Sequence, residues 1–204
     1  MNLANCGALT LLPETATWYR AIQPQHWNTA LQTAQTLLIP SRFSEGNGLF
    51  EILYLAEDPL VALFEVQALL GSVLPPQLWV PNPHQAWITL NVTVTLSHVA
   101  DLTRVSQQSL VATNAQELTG DWRGYRIRGA ATPITQPTAV PAPTQELGEA
   151  LFNVPGVEAF RAISAKVPTH RVLAIFPSKL RPGSQITFTD QARNRSQVIR
   201  PPNP

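Results

Sequence analysis

Ile88, Leu90, Val92 and Val94 alternate with Thr89, Asn91, Thr93 and Thr95, and this period of two predicts a strand with one buried face. Thr17–Ile22 predicts a shorter strand in which Tyr19 and Arg20 face opposite sides. Residues 50–56 form a third strand that runs straight into a helix signal. Asp58 suits the N-cap and Pro59 the first helical position, where a missing N–H has no intrahelical partner anyway. The pattern carries that helix to about Leu70. Further helices are predicted over Gln25–Leu38, stopped by Pro40, over one or two short stretches within 101–118, ended by Asp121–Tyr125, and over Gln145–Phe152, begun by Pro143 or Thr144. Val157–Pro168 reads as a strand entering a turn, Arg171–Phe176 as a buried strand, and Gln185–Thr189 as another with Ile186 and Phe188 on one face. Strands and helices alternate irregularly, which predicts an α+β fold rather than a doubly wound parallel sheet.

The breaks divide the chain into a main unit over residues 17–190, an irregular lead-in over 1–16 and a C-terminal tail over 191–204 that frays at its prolines. Two glycines and Asn47 make 41–48 a loop with room for positive φ. A proline-rich connection covers Leu74–His84, and 132–143 holds four prolines without a core pattern, so it is expected as a loop.

Charge adds a polarity that the net value of +1 conceals. Residues 1–160 carry 6 Lys/Arg and 12 Asp/Glu, whereas 161–204 carry 8 and 1. Prolines and apolar strand residues interrupt the basic end, and no aromatic ladder accompanies it, so nucleic acid is not the expected partner. Charge balance within one fold, or attraction of phosphate groups, explains it better. The single cysteine, Cys6, allows no intrachain disulfide and no thiolate metal set. No apolar stretch reaches bilayer length and no signal segment opens the chain, so a cytoplasmic, soluble protein without membrane contact is expected.

Most candidate chemistry is removed quickly. Gly46 and Gly48 precede a strand rather than a helix, so no phosphate loop of the Walker or dinucleotide kind is present. The four histidines are scattered without metal spacing, and no serine has a nucleophile elbow. What remains is Arg, Glu, Tyr and Ser. Glu65 stands out, because Leu60–Val66 is otherwise apolar and Val61, Ala62 and Leu69 flank it at helical spacing. It is either an edge carboxylate facing water or a partly desolvated carboxylate at the floor of a cleft. Arg20 and Arg42 are the only cations before Arg104, among seven acidic residues. They are ordinary ion-pair partners or forks for a phosphate or carboxylate.

Tyr19-Arg20, Ser41-Arg42-Phe43, the run Leu53–Val66, Thr144–Gly148 and Ile163-Ser164-Ala165 together resemble the RES-domain family, named for an Arg, a Glu and a Ser. The resemblance spans about 17–190. It identifies Arg20 or Arg42 as the arginine, Glu65 as the glutamate and Ser164 as the serine. Where the family has Arg-Trp-Asn, this chain has Arg42-Phe43-Ser44. The resemblance implies an ADP-ribosyltransferase-like fold and a toxin of a toxin/antitoxin pair. It also implies consumption of NAD, with phosphate (an NAD phosphorylase) or water as acceptor and no metal, and silencing by an Xre-type helix-turn-helix antitoxin. For that chemistry Glu65 is expected to steady positive charge on the ribose or hold a ribose hydroxyl, Arg20 and Arg42 to grip pyrophosphate or inorganic phosphate, and Tyr54 either to stack on nicotinamide or donate to it or to be a core aromatic with its hydroxyl at the rim. Ser164 then orients nicotinamide or ribose. Two other readings stand beside this one: ADP-ribosyl transfer to a macromolecule, and a non-enzymatic binding domain in which Arg20, Arg42 and Glu65 form a structural network.

Overall fold

The computed structural model describes residues 1–71, 79–127 and 140–202. Among the described residues the strands are β1 (Leu11–Ile22), β2 (Leu53–Ala56), β3 (Leu69–Gly71), β4 (Trp79–Pro81), β5 (Ile88–Asp101), β6 (Ala159–Ile163), β7 (Arg171–Ile175), β8 (Gln185–Asp190) and β9 (Arg195–Ile199). The helices are α1 (Pro59–Glu65), α2 (Val105–Leu110), α3 (Ala115–Thr119), α4 (Arg123–Ile127) and α5 (Pro143–Asn153). The main sheet runs β1-β2-β7-β6-β5-β8-β9, and β1 also pairs along most of β5. Pairing therefore closes through β1, β2, β7, β6 and β5, while β8 and β9 extend from the middle of β5 as a wing. All pairs are antiparallel except β5 with β6, as an α+β fold allows.

Alternation along the strands builds two cores. Leu173 and Ile175 of β7 join Leu53, Leu55, Val92, Val94 and Ile186 in one cluster. Val172 and Ala174, facing the other way, join Phe43, Ile52, Phe160, Leu147 and Leu151 beneath α5. A third cluster, of Ala21, Ala56, Val61, Ala62, Phe64 and Leu69, seats α1 on β1 and β2.

Several expected elements change. The lead-in 1–16 is not irregular: Leu3–Ala8 is a 3-10 helix and β1 begins at Leu11. Pro13 sits where the register slips between Leu12 and Glu14, and such a bulge accommodates proline in a strand. The helix expected over 25–38 is two 3-10 turns, Pro24–Thr29 and Ala34–Leu37, because the Arg20 guanidinium takes the Ala30 and Gln32 carbonyls that a continuous α-helix would use. Helix α1 stops at Glu65, not Leu70, since Gln67 turns to φ 59° and the chain enters β3. Trp79–Pro81, inside the proline-rich connection, pairs with β3, and Arg123–Ile127 continues as helix where an end was expected. The tail contains β9, paired to β8. Most of the expected loop 132–143 lies outside the described residues, and Pro143 opens α5.

Gly148 shows how closely α5 approaches the 41–44 segment. A Cβ there would lie 2.0 Å from the Phe43 carbonyl oxygen and 2.8 Å from its carbon. In an open helix Gly→Ala stabilises by about 1 kcal/mol. Here the clash reverses the sign, since overpacking costs about 1–3 kcal/mol. Gly148→Ala is expected to lower the Tm by several degrees in thermal denaturation, and a rise would overturn this account.

Candidate active site

Strands β1 and β2 share one pair, Tyr19 with Ala56, and a cleft of about 670 Å3 opens where they part. That volume suits a small-molecule ligand. Its walls come from β1 and β2, the 41–43 segment, the end of α1, residues 119–123 and Ala165-Lys166.

Helix α1 aims Glu65 into this space. Asp58 caps it, accepting from Leu60 N at 2.7 Å, and Val61, Ala62 and Phe64 are buried against the third cluster. The face left over carries Glu65, 23% exposed. As the last helical residue it lies at the negative end of the helix, where a carboxylate gains nothing from the backbone. Partners hold it instead. Ser164 Oγ donates to Glu65 Oε1 at 2.5 Å, and Arg42 Nη2 lies 3.7 Å from Oε2.

Ser164 follows directly on β6 and is wholly buried. Its hydroxyl accepts from Lys166 N at 3.2 Å and Val167 N at 3.0 Å while donating to Glu65. One donor and two acceptor positions exhaust a hydroxyl. Ser164 therefore acts on the cleft through Glu65, and the direct contact with a ligand expected from the sequence is not what its geometry offers.

Arg42 is 12% exposed, and its Nε is buried without a hydrogen-bond partner. An orphaned donor of this kind invites a ligand or a water. Tyr54, across the segment, has its hydroxyl 2.8 Å from Ser41 Oγ and accepts from Phe43 N at 3.2 Å. Burial pushes the Tyr54 phenol up to about 12, so it stays protonated. Its hydroxyl braces both neighbours of Arg42 rather than facing a ligand, and only its ring is left to line the cleft.

Arg20 also lines the cleft, but two of its donors are committed to the carbonyls of Ala30, at 2.7 Å, and Gln32, at 3.2 Å. Burial lowers its guanidinium to about 10, which still leaves it charged at neutral pH. Among the described residues it makes no ion pair. The structure thus brings Arg42, Glu65 and Ser164 into contact and sets Arg20 and Tyr54 in the same walls.

Sequence reasoning passed over Lys166, Arg123, Trp122 and Asp121 as cleft residues. Lys166 stands two positions beyond Ser164, and that spacing was the available signal. The Arg123 guanidinium lies 5.3 Å from the centre of the Trp122 ring. Four cations, Arg20, Arg42, Arg123 and Lys166, face two carboxylates, Glu65 and Asp121, around the cleft, a balance that draws anions. Among the described residues no group of His, Cys, Asp and Glu is arranged to hold a metal ion.

A sheet closed around its core, with a cleft at the parting of two strands, defines a single-domain α+β protein. Residues 17–194 match the RES domain, and the chain belongs to that family. A solved structure described as the crystal structure of the M. tuberculosis MbcT–MbcA toxin–antitoxin complex is similar in fold. It has a TM-score of 0.63 and 16% identity, over 98% of this chain and 92% of that one. No curated protein sequence matches.

Proposed function

We propose that this RES-domain protein is an NAD-consuming enzyme and the toxin of a toxin–antitoxin pair. The observation that carries the reading is the Glu65 carboxylate, held in a cation-rich cleft by the buried Ser164 hydroxyl with Arg42 beside it.

The chemistry needs little more than this. In NAD the nicotinamide nitrogen is cationic, so when the bond from it to the ribose C1′ breaks, the bonding pair neutralises the leaving group and no general acid is required. Positive charge gathers on the ribose as the bond lengthens, as in glycoside cleavage. Glu65 meets that charge, while Ser164 keeps one carboxylate oxygen fixed. Arg42 and Arg20 supply the electrostatic grip on the pyrophosphate, Arg42 through its unpartnered Nε and Arg20 through charge that no carboxylate among the described residues pairs with. An oxygen of inorganic phosphate, or of water with loss of a proton, then bonds to C1′. The products are nicotinamide with ADP-ribose 1″-phosphate or with ADP-ribose.

An antitoxin partner is the natural control on such an activity, and the similar structure is itself that of a toxin with its antitoxin. An Xre-type helix-turn-helix protein is the partner we propose, acting in the cytoplasm. Among the described residues no helix is long and apolar enough to cross a membrane.

Purified protein free of antitoxin is expected to release nicotinamide from NAD, with ADP-ribose 1″-phosphate appearing when phosphate is present and ADP-ribose when only water is. Chromatography of the products reads this directly. Intact NAD in both conditions overturns the proposal, and label from NAD fixed to macromolecules of a cell extract replaces it with ADP-ribosyl transfer.

A further inference from the structure

Among the described residues the side chain of Arg42 has a 3.7 Å ion pair, the Phe43 ring 6.0 Å from its guanidinium and an unpartnered Nε, and no hydrogen bond of its own fixes it. Its backbone does. Ser41 N donates to Ser44 O at 2.8 Å, closing a tight turn. Tyr54 holds Ser41 and Phe43 from one side. From the other, Gln145 Nε2 donates to Ser41 O at 2.9 Å and Ser44 O at 3.1 Å. Gln145 Oε1 accepts from Ala142 N at 2.9 Å, which fixes which way the amide faces.

A glutamine only 2% exposed is costly unless every polar atom finds a partner. Here both amide hydrogens go to carbonyls of one turn, two residues on either side of which lie within the cleft's wall or its support. One helical turn on, Gly148 lets the α5 backbone approach Phe43 with no side chain between them. The Phe43 ring is itself buried, edge-on to Phe160 at 4.9 Å. Ser41, Phe43 and Ser44 are all tethered, and Arg42 is the residue they present.

We infer that Gln145, on α5, is a positioning residue that acts through Arg42. The inference rests on the reaction proposed above for what Arg42 does, but not for how Arg42 is held. Gln145→Glu is the sharpest probe. It retains an acceptor for Ala142 N and replaces two donors by a carboxylate facing two carbonyls. Gln145→Met keeps the length and apolar volume if glutamate cannot be accommodated in the fold.

Three measurements decide it. In otherwise unaltered protein either substitution is expected to lower kcat/KM for NAD by about 10- to 100-fold, the scale of an ångström-sized misplacement. In an Arg42→Ala background the same substitutions are expected to change it by less than about threefold, because what they misplace is already gone. The third measurement needs no turnover. The Arg42 Nε–H resonance, assigned by its loss in Arg42→Lys, is expected to shift or broaden in Gln145→Glu while that of Arg161, a similarly buried arginine on β6 whose Nε lies 3.4 Å from Glu14 Oε2, stays.

Equal losses in both backgrounds mean that Gln145 serves the fold at large, and the inference is overturned. An unmoved Arg42 resonance overturns it as well. Unaltered protein that leaves NAD intact defeats the proposed reaction alone, and the resonance then settles the positioning claim by itself.

Discussion

Glu65→Ala is expected to reduce NAD consumption by about 10²–10³-fold while the protein stays folded. A single preorganised group meeting charge in the transition state contributes about 2.7–4 kcal/mol, and Glu65 is tied to both Arg42 and Ser164. The fold has less at stake. Alanine is a good helix former, the buried face of α1 is untouched, and Ser164 keeps the two backbone donors it accepts from. Glu65→Gln separates charge from shape, since the amide oxygen can still accept from Ser164. It is expected to lose nearly as much as alanine. Rates of nicotinamide release, compared with melting curves of the same preparations, test both halves. Alanine within threefold of the unaltered protein would remove Glu65 from the chemistry.

That carboxylate was legible in the sequence because it broke a pattern. An acid in an apolar helix after a cap and a proline is a local irregularity, and the helix does turn it toward the cleft. The 41–48 loop was legible for a similar reason, its glycines taking φ of 68° and 85°. β5 was legible from strict alternation, which the structure extends to Asp101.

The misreadings share a different cause: each was decided by a partner far away in the chain. The helical pattern of 25–38 yields because Arg20, on a neighbouring strand, takes its carbonyls. The first half of β1 exists because residues 95–100 of β5 lie opposite it. β9 exists because β8 offers an edge. The site follows the same rule. Ser164 could be picked out by resemblance, but that its hydroxyl is wholly buried and fully committed depends on a turn at Lys166-Val167 and on a helix 99 residues earlier. Gln145 was visible only as one residue of the resembling run Thr144–Gly148, since its own role lies in two carbonyls more than a hundred residues away.

The largest expected effect on stability comes from another carboxylate that the pattern did not single out. Glu158 is fully buried just before β6. Its Oε2 accepts from Ser97 N, Ser97 Oγ and His98 N, each at 2.8 Å, and its Oε1 from Arg181 N at 2.8 Å. Burial alone would raise its carboxyl, but the hydrogen bonds it accepts outweigh this and hold it below the usual carboxylate range. Glu158→Gln puts amide hydrogens against groups that are themselves donors, so at least one buried N–H loses its acceptor. A cost of about 3 kcal/mol is expected, or a Tm about 6–12 °C lower for a chain of this size. The dependence on pH has a definite sign. A carboxyl depressed in the folded state adds stability above its unfolded value and loses that contribution as pH falls through its folded one. Urea unfolding at a series of pH values should therefore show the gap between the two proteins widest near neutrality and closing in acid. A gap that stays constant with pH would mean that the Glu158 charge contributes nothing. Because β6 runs from the residue after Glu158 to the residue before Ser164, the same carboxylate anchors the far end of the strand that leads to the Ser164 hydroxyl on Glu65, so loss of this anchor is expected to bring activity down only as the protein approaches its lowered Tm.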